Sequence, residues 1–356
     1  MERVYSDSSN HLSLTPAGSP SAMGGASMRR CRQWAGVCLP LAAFFYIVLY
    51  CNSAVWSSLS MQHHPLHNTL SGSGFRKLLE EQERARLYTN VSSAALTQRL
   101  PSCIIIGVRK CGTRALLEFL NLHPDIVTAE DEMHFFNDDE RYRMGLDWYR
   151  HHMPLSQPHQ ITIEKTPGYF ISPITPSRIH RMNNTVKLIV LVRHPTTRTI
   201  SDYTQIYYNK QFKNETLDAF EDIAISRDSG AVNTRYKAIQ ISMYHHHFRH
   251  WMDIFPRHQI HVVDGDHLIT DPVSEIEQIE TFLGLEHRIN YNMLYFNSTR
   301  GFYCMRMNAT HERCLGASKG RKHPDIEQSV IWKLNRFFQP HNKQLFDLIQ
   351  QRFPWS

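Results

Sequence analysis

The chain has 356 residues, of which 42% are hydrophobic, 11% aromatic and 20% charged, enough for one large domain or two small ones. Its 16 glycines and 17 prolines are near background and exclude collagen-like and low-complexity classes, and seven cysteines in this length exclude a small disulfide scaffold. A net charge of +6 with histidine neutral is too mild to announce nucleic-acid binding, and no nucleic-acid partner is expected.

In chain order, residues 1–33 contain Ser, Pro and Gly without apolar periodicity and read as a disordered cytosolic tail. Residues 34–55 carry no formal charge, and about 20 such residues cross a ~30 Å hydrocarbon core as a helix. Arg29, Arg30 and Arg32 precede this span, while the next lysine or arginine is Arg76. The positive-inside rule therefore predicts a single-pass signal anchor with a cytosolic N-terminus. Cys31, Cys38 and Cys51 belong to this anchor and its edges. Residues 56–98 are polar, apart from a densely charged helical run over 75–88, and are read as a lumenal stem. The remaining 99–356 suit one α/β domain.

Lumenal exposure predicts sugars and disulfides. Sequons stand at Asn90, Asn183, Asn214, Asn297 and Asn308, each after the anchor. Cys304 and Cys314, with nine residues between them, are spaced to staple a hairpin.

Within 99–356, the runs 103–108, 160–164, 187–192 and 259–263 are short, near-continuously apolar strand candidates. Helix candidates lie over 114–122, 176–182, 199–208, 238–255 and 273–283. Such alternation predicts a central parallel sheet flanked by helices on both faces. Ligands of these sheets bind at the carboxyl ends of the strands.

After the first strand comes Gly107-Val108-Arg109-Lys110-Cys111-Gly112-Thr113-Arg114 and then a helix. This P-loop-like strand–loop–helix makes an anion cradle from free amides and the helix dipole. It is not the nucleotide-triphosphatase loop, in which Lys follows the second Gly; here Lys110 precedes Gly112. Arg193 after a second strand, with Ser201 eight residues on, supplies another phosphate-reading pair.

These features, with the late loop Lys319-Gly320-Arg321-Lys322-His323, resemble the PAPS-dependent sulfotransferases, where PAPS is 3′-phosphoadenylyl sulfate. More narrowly, IIIGVRKCGTRALLEFLNLHP, EMHFF, EKTPGYF, ISDYTQ, GFYC and SKGRKHP resemble the heparan sulfate glucosamine 3-O-sulfotransferases. The resemblance runs from Pro101 to Trp355. It implies sulfuryl transfer from PAPS to heparan sulfate, a type II Golgi membrane topology and no metal requirement.

It also implies roles. Lys110, Cys111, Gly112, Thr113 and Arg114 would cradle the 5′-phosphosulfate, with Lys110 facing the leaving oxygen. Arg193 and Ser201 would hold the 3′-phosphate, Lys319–His323 would close over the nucleotide, and Tyr303 would lie beside it. Glu132 matches the catalytic base, and His134 lies alongside the reacting sugar. Arg109, the segment Glu132, Met133, His134, Phe135, Phe136, Asn137 and Asp138, then Lys165, Thr166, Pro167, Gly168, Gln205, Tyr236 and Lys237 match acceptor-binding positions. The family disulfide falls on Cys304 and Cys314. A hydroxyl is a poor nucleophile at neutral pH, so a carboxylate must take its proton, and a fixed cation stabilises the departing phosphate most in the transition state.

Four positions depart from the family pattern: Cys111 for Gly inside the cradle, Asn137 for Asp, Gly168 for Ala or Ser, and His194 for an acidic or amide residue. They bear on rate and specificity. The alternatives are another lumenal glycan sulfotransferase, such as an N-sulfotransferase, or a non-catalytic glycan-binding relative whose cradle Cys111 spoils. His246 and His250 are spaced i, i+4 in a histidine run but lack a matched third ligand, so a polar helix face is expected there. With 18 histidines after residue 98, protonation near pH 6 is expected to strengthen attraction for a polyanion.

Overall fold

The structure, a computed structural model, describes residues 96–307, 311–316 and 319–355. The expected tail, the anchor and nearly all of the stem, with Asn90, lie outside these residues, as does Asn308. Among the described residues no helix is long and apolar enough to cross a membrane.

In chain order the strands are β1 (Thr97–Gln98), β2 (Cys103–Gly107), β3 (Ile126–Thr128), β4 (Leu155–Ser156), β5 (Ile161–Lys165), β6 (Lys187–Val192), β7 (Ile260–Asp264), β8 (Leu294–Asn297), β9 (Phe302–Arg306) and β10 (Glu312–Arg313). The helices are α1 (Thr113–Leu120), α2 (Asp139–Arg143), α3 (Gly145–His151), α4 (Thr175–Met182), α5 (Pro195–Phe212), α6 (Phe220–Ala224), α7 (Lys237–Ser242), α8 (Tyr244–Met252), α9 (His267–Thr270), α10 (Pro272–Leu283) and α11 (Gln328–Ile349).

The central sheet runs β3-β5-β2-β6-β7, with every neighbouring pair parallel. β2 and β6 are apolar on both faces because both are covered; Ile104, Ile105, Leu188 and Ile189 have no exposed surface. The expected parallel sheet is thus present, and four of its five strands fall within one residue of the runs read from sequence. A separate antiparallel ribbon joins β8, β9 and β10. Across its hairpin the sulfurs of Cys304 and Cys314 are 2.03 Å apart, at bonding distance.

Several elements differ from expectation, the following among them. Helix α5 begins at Pro195, four residues earlier than read, because proline at the first helical position matches the φ the helix needs. The single helix expected over 238–255 is two, broken at Met243, whose ψ is 65°. Helix α11 was not expected; Pro340 inside it removes one amide from its hydrogen-bond ladder and breaks the sequence signal.

Candidate active site

Each strand of the sheet delivers chemistry at its carboxyl end, and strand order sets the order of the chemistry. Glu132 and His134 follow β3, Lys165 ends β5, Lys110 follows β2, Arg193 follows β6, and Gly265 and Asp266 follow β7. Four strand spacings of ~4.8 Å spread these groups along roughly 19 Å. The edge is therefore a row of subsites, with the carboxylate on the first strand and Arg193 on the fourth, next to the end strand that carries Asp266.

The central subsite is the β2–α1 loop. Gly112 caps α1 with φ 100°, a left-handed conformation that glycine adopts without Cβ strain. The first amides of α1 have no acceptor within the helix and face the loop. Lys110 itself is left-handed, φ 74°, an uncommon state for a residue with a Cβ and one that clusters at functional sites. Its ammonium donates to Gln205 Oε1 at 3.4 Å. Burial, then the like charge of Lys319, brings the Lys110 pKa down to about 8.

Cys111, the residue suspected of filling the cradle, turns away from it. It has no exposed surface, its φ is not positive, and its sulfur lies 3.7 Å from Tyr244 Oη. Burial pushes the thiol up to about 11, so it is neutral and packs as a small apolar group.

A buried ion pair braces this loop. Arg198 has no exposed surface; it donates to Asp202, Ser242 Oγ, the Ala238 carbonyl and the Arg109 carbonyl. Asp202 also accepts from Arg109 Nε at 2.9 Å. Arg109, expected at the acceptor, is thus tied to the helix that follows β6.

The Arg193 end is held by Asp266, which accepts from Arg193 Nε and from the His194 amide, both at 2.7 Å. Gly265 lies between the two loops. A Cβ there would sit 2.4 Å from the Cys111 carbonyl oxygen and 2.7 Å from Arg193 Cγ, so only glycine lets these backbones approach. Asp264 instead caps the turn, accepting from the amides of Asp266 and His267. Ser201 lies partly exposed on α5.

At the opposite end Glu132 is ion-paired with Lys165, and His134 Nε2 stands 3.6 Å from its other oxygen. Burial alone would raise the Glu132 pKa; the His134 bond and the Lys165 charge more than offset it and hold the carboxyl down at about 2. His134 is left-handed, φ 50°, and its Nδ1 meets Asn137 Nδ2 at 3.3 Å. Gly168 explains how Asn137 fits. A Cβ there would press on Asn137 Nδ2 at 3.1 Å and on His134 Cε1 at 3.3 Å, so two departures from the family pattern accommodate each other.

The support beneath this end is Glu164, fully buried. It accepts from the Thr166 hydroxyl, the Met133 amide and Tyr149 Oη, and Thr166 Oγ1 in turn accepts from the His134 amide. Burial raises the Glu164 carboxyl to about 7. Glu164 therefore couples strand β5 to both residues flanking the turn that presents His134.

The 319–323 loop joins the two ends. Lys319 is lowered by burial first, then by the charges of Lys165 and Arg114, with Glu132 acting oppositely, and it also acts on Lys110. Gly320, φ 64°, packs so closely on Phe302 that a Cβ would lie 2.9 Å from its ring. Arg321 extends over the Tyr208 ring at 5.3 Å with a buried Nη1 that has no partner, a donor set for an anion. Tyr303, on β9, is partly exposed and edges Phe296 at 5.5 Å. Arg114 is engaged by Glu118 and the Glu130 carbonyl.

Some expected contacts lie in the core instead. Met133, Phe135 and Phe136 are buried, with Phe135 stacked on Tyr149 at 4.6 Å; in EMHFF these three side chains anchor the segment that presents Glu132 and His134. Thr166 and Pro167 are buried too. Tyr236 precedes α7 as its cap residue and Lys237 begins it. Asp138 caps α2 by accepting from the amides of Glu140 and Arg141. Burial holds His194, His245, His246, His247, His261, His323 and His341 below the ordinary histidine value, whereas the Glu275 hydrogen bond raises His267. Sequence reasoning missed Arg198, Asp202, Asp266, Gly265 and Glu164, each of which also meets a partner far along the chain.

A parallel sheet with a cationic strand–loop–helix at its centre and a second arginine one strand away defines an α/β sulfotransferase fold. The family profile "Sulfotransferase domain" matches residues 100–349. A sulfotransferase crystal structure from Alicyclobacillus acidocaldarius superposes with a TM-score of 0.54 at 20% identity, covering 72% of this chain and 99% of that one, which supports the fold. Heparan sulfate glucosamine 3-O-sulfotransferase 5 of Homo sapiens is 51% identical over 281 residues, 79% of this chain and 80% of the relative. The human 3-O-sulfotransferase 6 is 42% identical over 261 residues, 73% and 75% of the two chains. The chain belongs to the heparan sulfate glucosamine 3-O-sulfotransferases.

Proposed function

We propose that this chain transfers the sulfuryl group of PAPS to the 3-hydroxyl of glucosamine residues in heparan sulfate. The observation that carries the reading is the order of groups along the carboxyl edge: an ionised carboxylate, then Lys110 in its cradle, then Arg193 braced by Asp266. The buried, partnerless Arg321 Nη1 and the depressed Lys110 and Lys319 ammoniums fit a polyanionic nucleotide, because bound phosphates would relieve the crowding of like charges.

In this reading the 3-hydroxyl oxygen attacks sulfur and a new O–S bond forms. The bond from sulfur to the bridging 5′-phosphate oxygen breaks, and the hydroxyl proton passes to Glu132. Lys110 stabilises the oxygen that gains charge, and adenosine 3′,5′-bisphosphate leaves. Arg193 and Ser201 hold the 3′-phosphate and the 319–323 loop covers the nucleotide. A carboxyl held at about 2 is fully ionised but weakly basic; an acceptor that expels water and displaces Lys165 raises its proton affinity as the reaction begins. The inward-turned Cys111 favours a working cradle over the non-catalytic alternative.

The uncharged span over 34–55 and the flanking arginines support a type II Golgi membrane topology, with tail 1–33, stem 56–98 and a lumenal catalytic domain over 99–356. In that compartment Cys304 and Cys314 form a disulfide, and Asn183, Asn214 and Asn297 lie in described segments open to glycosylation.

Incubating the protein with labelled PAPS and N-sulfated heparan sulfate, then mapping disaccharides, tests the function. Label on 3-O-sulfated glucosamine is expected. Label confined to the amino group would indicate an N-sulfotransferase, and no transfer would indicate a binding protein.

Two further results are expected from the cradle. Because the free Lys110 titrates near 8 and a phosphate raises that value, the nucleotide binds best to the protonated form. Affinity for adenosine 3′,5′-bisphosphate should be level below pH 8 and fall above it, with uptake of about half a proton per site at pH 8. Calorimetry in buffers of different ionisation enthalpy reads this uptake; none at pH 8 would contradict the assignment. Gly265→Ala should weaken the same ligand by about 1–3 kcal/mol, the usual cost of overpacking, since the new methyl displaces Arg193 or the Cys111 carbonyl; unchanged affinity would show that the contact relaxes freely.

A further inference from the structure

The histidine run outside the catalytic edge is organised differently from its i, i+4 spacing. His245 and His246, in the first turn of α8, meet His341 of α11, which directly follows Pro340. One ring nitrogen from each lies within 4.8 Å of the other two. Ring centroids stand 4.0 Å apart for His245 and His246, 5.1 Å for His245 and His341, and 6.0 Å for His246 and His341. His250 takes no part, and His247 turns to the Gln240 carbonyl.

Two nitrogens of this trio are conspicuous. The Nδ1 atoms of His245 and His341 are buried and have no hydrogen-bond partner, although buried polar atoms are nearly always satisfied. His245 is 1% exposed. His246 is exposed and His341 half-buried, which leaves one side open to solvent. Phe337 packs 4.9 Å from His341 and walls the other side.

We propose that His245, His246 and His341 form a zinc site that staples α8 to α11, with water as the fourth ligand. Three nitrogen donors and an open position suit tetrahedral Zn²⁺. With Zn–N bonds of ~2.1 Å the nitrogens would stand roughly 3.4 Å apart, so the trio contracts slightly on binding; the exposed His246 ring has the freedom to swing. Burial, before any charge effect, holds all three imidazoles below the ordinary histidine value, His245 at about 3. They are therefore neutral at pH 7, and the metal need displace no proton. Arg249 on α8, whose charge bears on His245 and His246, and the positive end of the helix dipole both oppose a cation. The site is accordingly one of moderate affinity.

The staple would act on the nucleotide wall. Tyr244, beside His245, donates to the Arg193 carbonyl at 2.9 Å, and Asn335 of α11 accepts from Thr196 Oγ1 at 2.6 Å, three residues after Arg193. Metal binding thus ties both elements that back the Arg193 turn.

The test uses the full chain in detergent, stripped with chelator, and titrated with Co²⁺ and then Zn²⁺. One Co²⁺ per chain with the visible bands of four-coordinate nitrogen ligation is expected, displaced by Zn²⁺, with a thermal midpoint that rises with zinc concentration. His341→Ala should weaken Zn²⁺ at least about tenfold. His246→Gln, at an exposed position that keeps the fold, should do the same and remove the thermal shift. Zinc binding that is absent in the wild type, or equal in the wild type and His246→Gln, would overturn the proposal.

Discussion

Glu132→Gln is expected to lower kcat by about 10²–10⁴, the usual contribution of a general base, while adenosine 3′,5′-bisphosphate binds as before. The amide keeps the size of the carboxyl but cannot take the hydroxyl proton. It also loses the charge pairing with Lys165 and His134, keeping at most a neutral hydrogen bond through its amide oxygen. Because Lys165 is 4% exposed and Glu132 is its ion-pair partner among the described residues, much of its charge is left uncompensated in the variant, and some loss of stability accompanies the loss of rate. Measuring nucleotide affinity by calorimetry alongside single-turnover rates separates the two effects. A variant that keeps half of the wild-type turnover with saturating substrates would remove Glu132 from the base role.

Lys110→Ala should lose about 10²–10³ in kcat, the scale of one preorganised group aimed at developing charge. Arg193→Ala should act chiefly on nucleotide affinity. The difference follows from position: Lys110 stands at the centre of the edge, beside Gln205 and within the field of Lys319, whereas Arg193 lies one strand away and is fixed by Asp266. An interaction that strengthens only as the leaving oxygen gains charge appears in kcat, and one made equally in ground and transition states appears in affinity. If Lys110→Ala weakened binding with kcat intact and Arg193→Ala did the reverse, the two subsites would have to be exchanged.

The parts of the fold most legible in sequence were those whose signal is local. CIIIG and, after Lys187, LIVLV are continuously apolar because both of their faces are covered, and their alternation with helical stretches points to a parallel sheet. Strand β3 escaped because it is three residues long and buried only at Ile126. The α7–α8 break carries no glycine or proline; it sits beside Ser242 and Ala238, which Arg198 holds from α5, so its cause is tertiary. The site divides the same way. Lys110 and Glu132 sit in short motifs with chemistry of their own. Asp202, Asp266, Gly265 and Glu164 gain meaning only when strands distant in sequence become neighbours. Phe135 and Phe136 show the converse error: a motif is a functional unit whose members include its own foundations.

The most direct test of the account is transfer to a defined N-sulfated oligosaccharide in two forms, one with the target glucosamine 3-hydroxyl present and one with a 3-deoxy sugar in its place. Labelled PAPS should sulfate the first and leave the second unlabelled, with both competing similarly for binding. Equal labelling of the 3-deoxy acceptor would contradict the account, because the oxygen assigned to attack sulfur would then play no part.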